Sequence, residues 1–107
     1  MIVVTTSDLP GMPIREVKGL VQGNTIRARN VGRDIVAGLR NLVGGEITEY
    51  TRLMTESRSE AVQRMVAEAE AVGANAILNV RFTTSTVIAG AAELLAYGTA
   101  VVAEESH

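Results

Sequence analysis

Apolar and polar positions alternate along the chain in patterns that predict four strands and two helices. Ile2 to Thr6 is a short β-branched run, expected as a first strand. The segment Ser7-Asp8-Leu9-Pro10-Gly11-Met12-Pro13 stops it, because two prolines and a glycine force a turn. From Ile14 to Gln22 the pattern alternates again: Val17, Gly19 and Val21 share one face, Glu16, Lys18 and Gln22 the other, with Leu20 out of step. This predicts a half-buried second strand, with Gly19 marking a bulge or a close backbone approach and Gly23-Asn24 a turn.

Helical periodicity follows. Asn30 suits the N-cap of a helix from Val31 to Val43, whose Ile35, Leu39, Leu42 and Val43 form one stripe. Gly38 inside it predicts a close backbone neighbour, and Gly44-Gly45 ends it. A longer helix is expected from Thr48 to Val72, stopped by Gly73. Its apolar stripe is Tyr50, Met54, Ala61, Met65, Ala69 and Val72, broadened by Val62 and Val66, with Glu60, Arg64 and Glu68 on the wet side. Such a helix spans about 37 Å, against about 34 Å for the diameter of a compact domain of this length. It is therefore expected to reach a neighbouring subunit.

The last third returns to period two. Ala76, Leu78, Val80 and Phe82 read as one face of a third strand ending at Thr84, and Ile77, Asn79, Arg81 and Thr83 as the other. Ser85 to Ala92 reads as a mobile hairpin connection, and Glu93 to Val102 as a last strand apolar on both faces. One helix layer covers one face of a sheet, so the second face calls for another cover, most economically a sister subunit. The tail Glu104-Glu105-Ser106-His107 is expected to fray.

Composition narrows the chemistry. The 107 residues fit one domain, 1–107, and 47% are hydrophobic, enough for a core. That core is aliphatic: Val and Ala number 14 each, whereas aromatics make up 3% with no Trp. There is no cysteine, which excludes disulfides, thiolate metal sites and a cysteine nucleophile. The one histidine is residue 107, so histidine catalysis and multi-histidine metal sites are excluded too. No stretch approaches the ~20 apolar residues of a membrane span and no signal peptide is readable, so a cytoplasmic location without membrane attachment is expected.

The net charge of -2 argues against nucleic acid as a partner. Residues 1–45 carry six basic and three acidic side chains, and residues 46–107 four arginines and nine glutamates. Ion pairing between the halves accounts for this asymmetry, within a subunit or across an interface. The alternative is an anion site. Gly44-Gly45 before the long helix could present free N–H groups, with Arg40 one turn upstream and the Arg33-Asp34 pair beyond. Arg33, Asp34, Arg40, Gly44, Gly45 and Tyr50 are thus the candidate ligand-binding residues. No catalytic residue, cofactor motif or metal-ligand spacing stands out. Gly19 to Thr25 is one residue short of a phosphate loop and lacks its lysine. Met12, Met54 and Met65 read as core filler.

The order Thr5-Thr6, Gly11, Ile14, Gly19-x-Val21-x-Gly23, then Arg33-Asp34-x-x-Ala37-Gly38-x-Arg40-x-x-Val43-Gly44-Gly45, resembles the YbjQ-like family. Tyr50, Arg58, Ala61, Gly73-Ala74-Asn75-Ala76 and Gly98-Thr99-Ala100-Val101 extend the match to about residues 3–102. The resemblance implies an α+β subunit: a small antiparallel sheet of about four strands on a long helix plus a short one, similar to a dodecin subunit. It also implies a homo-oligomeric ring, typically a homopentamer, and a heavy-metal-binding label. The function expected on these grounds is a non-enzymatic ring protein with a structural or ligand-binding role. The alternatives are heavy-metal binding, or a small-anion or metabolite site at a subunit interface.

Overall fold

The computed structural model describes residues 1–27, 48–88 and 91–105. Within them the fold is α+β, four strands and one helix: β1 (Ile2–Val3), β2 (Ile14–Arg27), α1 (Thr48–Ala71), β3 (Ala76–Ile88) and β4 (Ala91–Ala103). The expected short helix at residues 31–43, with its cap Asn30, lies outside the described residues.

The strands form one sheet in the order β1-β3-β4-β2. β3 pairs antiparallel with β4, and β4 with β2, but β1 runs parallel to β3, so the sheet is mixed rather than wholly antiparallel. Although β1 is two residues long, its ladder continues: Val4 N–H donates to Ile77 O, Val80 N–H to Val4 O and Asn79 N–H to Thr6 O. β3 and β4 run further than their alternation suggested, and the expected Ser85–Ala92 connection is mostly strand.

Two residues with positive φ set the register. Gly19 (φ 112°) sits where β2 slips against β4, between Val17 and Gly19. That extra residue puts Val17 opposite Val101, on the face of Leu20, while Gly19 and Val21 take the other face. The expected grouping of Val17 with Gly19 and Val21 is therefore corrected, and Leu20 is in step after all. Asn79 (φ 54°) does the same in β3, where the register shifts between Leu78 and Arg81. Asn tolerates the left-handed region better than most side chains. Through this bulge both Ile77 and Val80 face the helix, whereas the sequence put them on opposite faces. Gly98 on β4 makes room for the pair: a Cβ there would stand 2.7 Å from Ile77 Cγ2 and 2.9 Å from Leu78 O.

No Gly or Pro interrupts α1, and its end is well defined. Gly73 (φ 82°) donates to Glu70 O and Ala74 N–H to Ala69 O, the paired bonds of a Schellman stop. The helix buries Ser57, Ala61, Met65 and Ala69, each one turn from the next. Val72, expected in the stripe, is 44% exposed because the helix has ended before it. The small side chains of Ser57, Ala61 and Ala69 let α1 lie close on β2. Gly23, expected in a turn, instead sits within β2 under the helix backbone.

The core has two parts. One fills the space between α1 and the sheet, with Val21, Ala61, Met65, Ala69, Ile77, Val80, Ala96 and Ala100. The other lies on the far face, where Ala76, Leu78 and Val101 are covered by Ile2, Val4, Leu9 and Ile14. The chain's own N-terminal segment thus supplies, at one end, the second cover that the sequence assigned to a sister subunit. The principal extents are 57 × 29 × 16 Å, so the longest dimension exceeds the compact diameter against which the helix length was compared. The tail is likewise tied further than expected: Glu104 N–H donates to Pro13 O and its carboxylate pairs with Arg15 at 2.9 Å.

Candidate functional site

Of the six candidate ligand residues, Arg33, Asp34, Arg40, Gly44 and Gly45 lie outside the described residues. Tyr50 falls in the first turn of α1. The functional reading of the described residues rests on three other surfaces.

The first is a polar depression on α1, lined by Thr55, Glu56, Ser59, Glu60 and Gln63. The inward side of the helix carries Ser57, Ala61, Met65 and Ala69, so these polar side chains take the outer side. Part of the set is engaged locally. Thr55 Oγ1 donates to Thr51 O at 2.9 Å and accepts from Arg58 Nη2 at 3.3 Å, and Glu60 pairs with Arg64. The remaining hydroxyl, amide and carboxylate chemistry is hard and solvent-open.

The second is the outer edge of β2, which no other strand pairs with among the described residues. Strand geometry turns alternate backbone groups outward, and here two of them meet side chains of α1. Gln22 N–H donates to Glu68 Oε1 at 3.3 Å, and Arg64 donates to Asn24 O while also pairing with Glu60. The sequence read Glu60, Arg64 and Glu68 only as a solvated helix face. The close approach at Gly23 brings them over the strand edge, and that glycine was the signal that could have found them.

The third is the far face of the sheet beyond the N-terminal cover. Leu20 and Ile26 are 69% and 54% exposed there, beside half-buried Leu95 and Tyr97 on β4. Glu93 links this end across strands, accepting from Asn24 Nδ2 at 3.0 Å and from Ser85 Oγ at 3.4 Å. Gln22 and Asn24 stand between Leu20 and Ile26 along β2, so apolar and polar side chains are interleaved on this surface.

A family model described as "Putative heavy-metal-binding" matches residues 1–104. The chain is 54% identical over 106 residues to a "UPF0145 protein" of Clostridium perfringens, covering 99% of this chain and 100% of the relative. It is 57% identical over 101 residues to a protein of the same designation from Archaeoglobus fulgidus, covering 94% of each. A crystal structure of a protein of unknown function from Pediococcus pentosaceus is similar in fold, with a TM-score of 0.63 at 18% identity, covering 95% of this chain and 96% of that one.

The metal in the family description can be tested against the donors present. Soft heavy metals favour thiolate and imidazole, and this chain has no Cys and a single His at position 107. Among the described residues no three of His, Cys, Asp and Glu group as a metal site. The described donor set does not fit a soft metal. Among the described residues, too, no helix is long and apolar enough to cross a membrane.

Proposed function

The chain belongs to the YbjQ-like family, and from that premise we propose that it works as a homo-oligomeric ring, five copies being the expected number, in a structural or ligand-binding role that needs no catalytic group. The observation that carries this reading is the uncovered part of the sheet's far face. Leu20 and Ile26 stand more than half exposed next to Leu95 and Tyr97, at the end that the N-terminal segment does not reach. Large aliphatic side chains left exposed beside half-buried Leu95 and Tyr97 support a protein interface here, and a second copy is the partner that a symmetric oligomer supplies.

Light scattering on the purified chain tests the reading. A particle of five 11.3 kDa chains is expected. A monomer over the micromolar range would overturn it. Substituting Leu20→Lys together with Ile26→Lys is expected to reduce the mass, since each charge would be desolvated in the interface.

Heavy-metal binding is the second reading, favoured by the family's description. It would have to draw on carboxylate and carbonyl oxygens. Calorimetric titration with Zn²⁺, Cd²⁺ and Cu²⁺ decides it: a dissociation constant no tighter than about 1 mM, equivalent to about 4 kcal/mol, counts against it.

A further inference from the structure

The bulge in β3 redirects one charged side chain. By strict alternation from Ile77, Arg81 would fall on the helix side of the sheet. The extra residue at Asn79 (φ 54°) sends it to the far face instead, opposite Tyr97 of β4. Bulges re-aim side chains next to active sites, and a non-glycine residue held at positive φ is a strain that clusters at such sites. The N-terminal segment leaves the edge of β3 at the same point. Asn79 N–H donates to Thr6 O at 2.9 Å, and Arg81 Nη1 donates to Thr5 O at 3.0 Å and to Val80 O at 2.8 Å. Two carbonyls thus occupy Nη1 and fix the plane of the guanidinium. Its Nε–H and Nη2 groups have no partner among the described residues, nor have the Asn79 carboxamide and the Thr5 hydroxyl, and all three residues are exposed. Arg15 and Arg64 pair with Glu104 and Glu60, whereas Arg81 meets no carboxylate among the described residues, Asp8 in the turn after Thr6 included.

We propose that this corner binds an oxyanion, the carboxylate or phosphate group of a small molecule. The Nε–Nη2 side of Arg81 receives two of its oxygens, and Asn79 and Thr5 are the flanking donors. A guanidinium fork matches the spacing of two oxygens on one carbon or phosphorus. Because Thr5 O and Val80 O already hold the fork, less ordering is needed when the ligand arrives. The site gives the ligand-binding role proposed above a place and a chemical class. It rests on that role and not on the ring, since one chain supplies every donor.

Nuclear magnetic resonance of the isotope-labelled chain, titrated with inorganic phosphate and with acetate at constant ionic strength, tests the site. The Arg81 Nε–H resonance is expected to move saturably, together with the amides of Asn79 and Thr6, and the tighter of the two probes identifies the group. Chloride is expected to move it little, because a single-atom ion cannot engage both arms of the fork. Arg81→Lys keeps the charge and loses the fork. It is expected to weaken binding about tenfold, equivalent to about 1.4 kcal/mol. Shifts that centre on another arginine, that chloride reproduces, or that Arg81→Lys leaves unchanged would overturn the site. Should Arg81→Lys fail to fold, the position of the shifts in the parent and the chloride control still decide it. Native mass spectrometry of the same sample separates the two readings. A monomer with a saturable Arg81 shift would overturn the ring and keep the site, whereas a ring without that shift would overturn the site alone.

Discussion

Gly23 of β2 lies directly under the backbone of α1 at Ala61. A Cβ on Gly23 would overlap the Ala61 carbonyl oxygen and the Met65 amide, and would stand 2.8 Å from the Arg64 Cβ. This approach sets the distance between helix and sheet. Because it is close, Arg64 and Glu68 reach across to the outer edge of β2.

Gly23→Ala therefore forces backbone to move, since the new methyl would meet two backbone atoms and the Cβ of Arg64, none of them the end of a flexible side chain. Overpacking of this kind costs about 2–3 kcal/mol, a drop of roughly 4–8 °C in melting temperature per kcal/mol in a domain of this size. Gly73→Ala makes a useful contrast: its surroundings are open and only the positive φ is strained. It is expected to cost about 1 kcal/mol. Thermal denaturation of the two variants, with the larger loss at Gly23, checks the assignment.

Asn75 fastens the two ends of the described chain. Its Nδ2 donates to Ala103 O at 2.7 Å and its Oδ1 accepts from Ala103 N–H at 2.8 Å. Asn75→Ala leaves both main-chain groups without that partner and is expected to cost about 1–3 kcal/mol. Urea denaturation measures the loss, and hydrogen exchange should accelerate at the Ala103 amide.

Thr25 is 1% exposed beneath α1, and its Oγ1 meets no hydrogen-bond partner among the described residues. A buried hydroxyl without a partner carries an uncompensated desolvation cost. Thr25→Val keeps the branched shape and removes that oxygen. It is expected to raise stability by about 1 kcal/mol, read as a higher urea midpoint at unchanged slope.

Removing the cover of the β2 edge should change exchange and association more than stability. Arg64 is half exposed, and exposed ion pairs contribute little. Glu68→Ala is expected to leave stability within about 0.5 kcal/mol while accelerating exchange of the Gln22 amide. Combined with Arg64→Ala, it opens a strand edge that other chains can join. Increased thioflavin fluorescence of the double variant on incubation is the expected outcome, and no increase over the parent would count against the guarding role.

The long helix was legible in the sequence because its determinants are local: no breaker between Thr48 and Ala71, and a glycine at the left-handed stop. The strands were legible in kind and wrong in detail. Around Asn79 the residues alternate apolar and polar as an unbroken strand would, so the bulge that turns Ile77 and Val80 to one side left no pattern to read. Gly23-Asn24 read as a turn because glycine's turn preference is local, whereas the reason for this glycine is a helix 38 residues further on at Ala61. The candidate ligand residues Arg33, Asp34, Arg40, Gly44 and Gly45 lie outside the described residues. The contacts that the structure does add, Arg64 and Glu68 on the edge of β2, join residues 40 and 46 positions apart.

The sequence by itself determined the α+β class, the long helix with its stop, an aliphatic core, and a chain without thiols for a soft metal. These follow from periodicity, backbone preference and composition, which act over a few residues or over the whole chain at once. Only the tertiary structure decided which faces were buried, that the N-terminal segment covers one end of the far face, and that side chains of the helix guard the outer edge of β2. Those outcomes depend on two register slips and one close helix–strand approach, and each is settled by packing between segments distant in the chain.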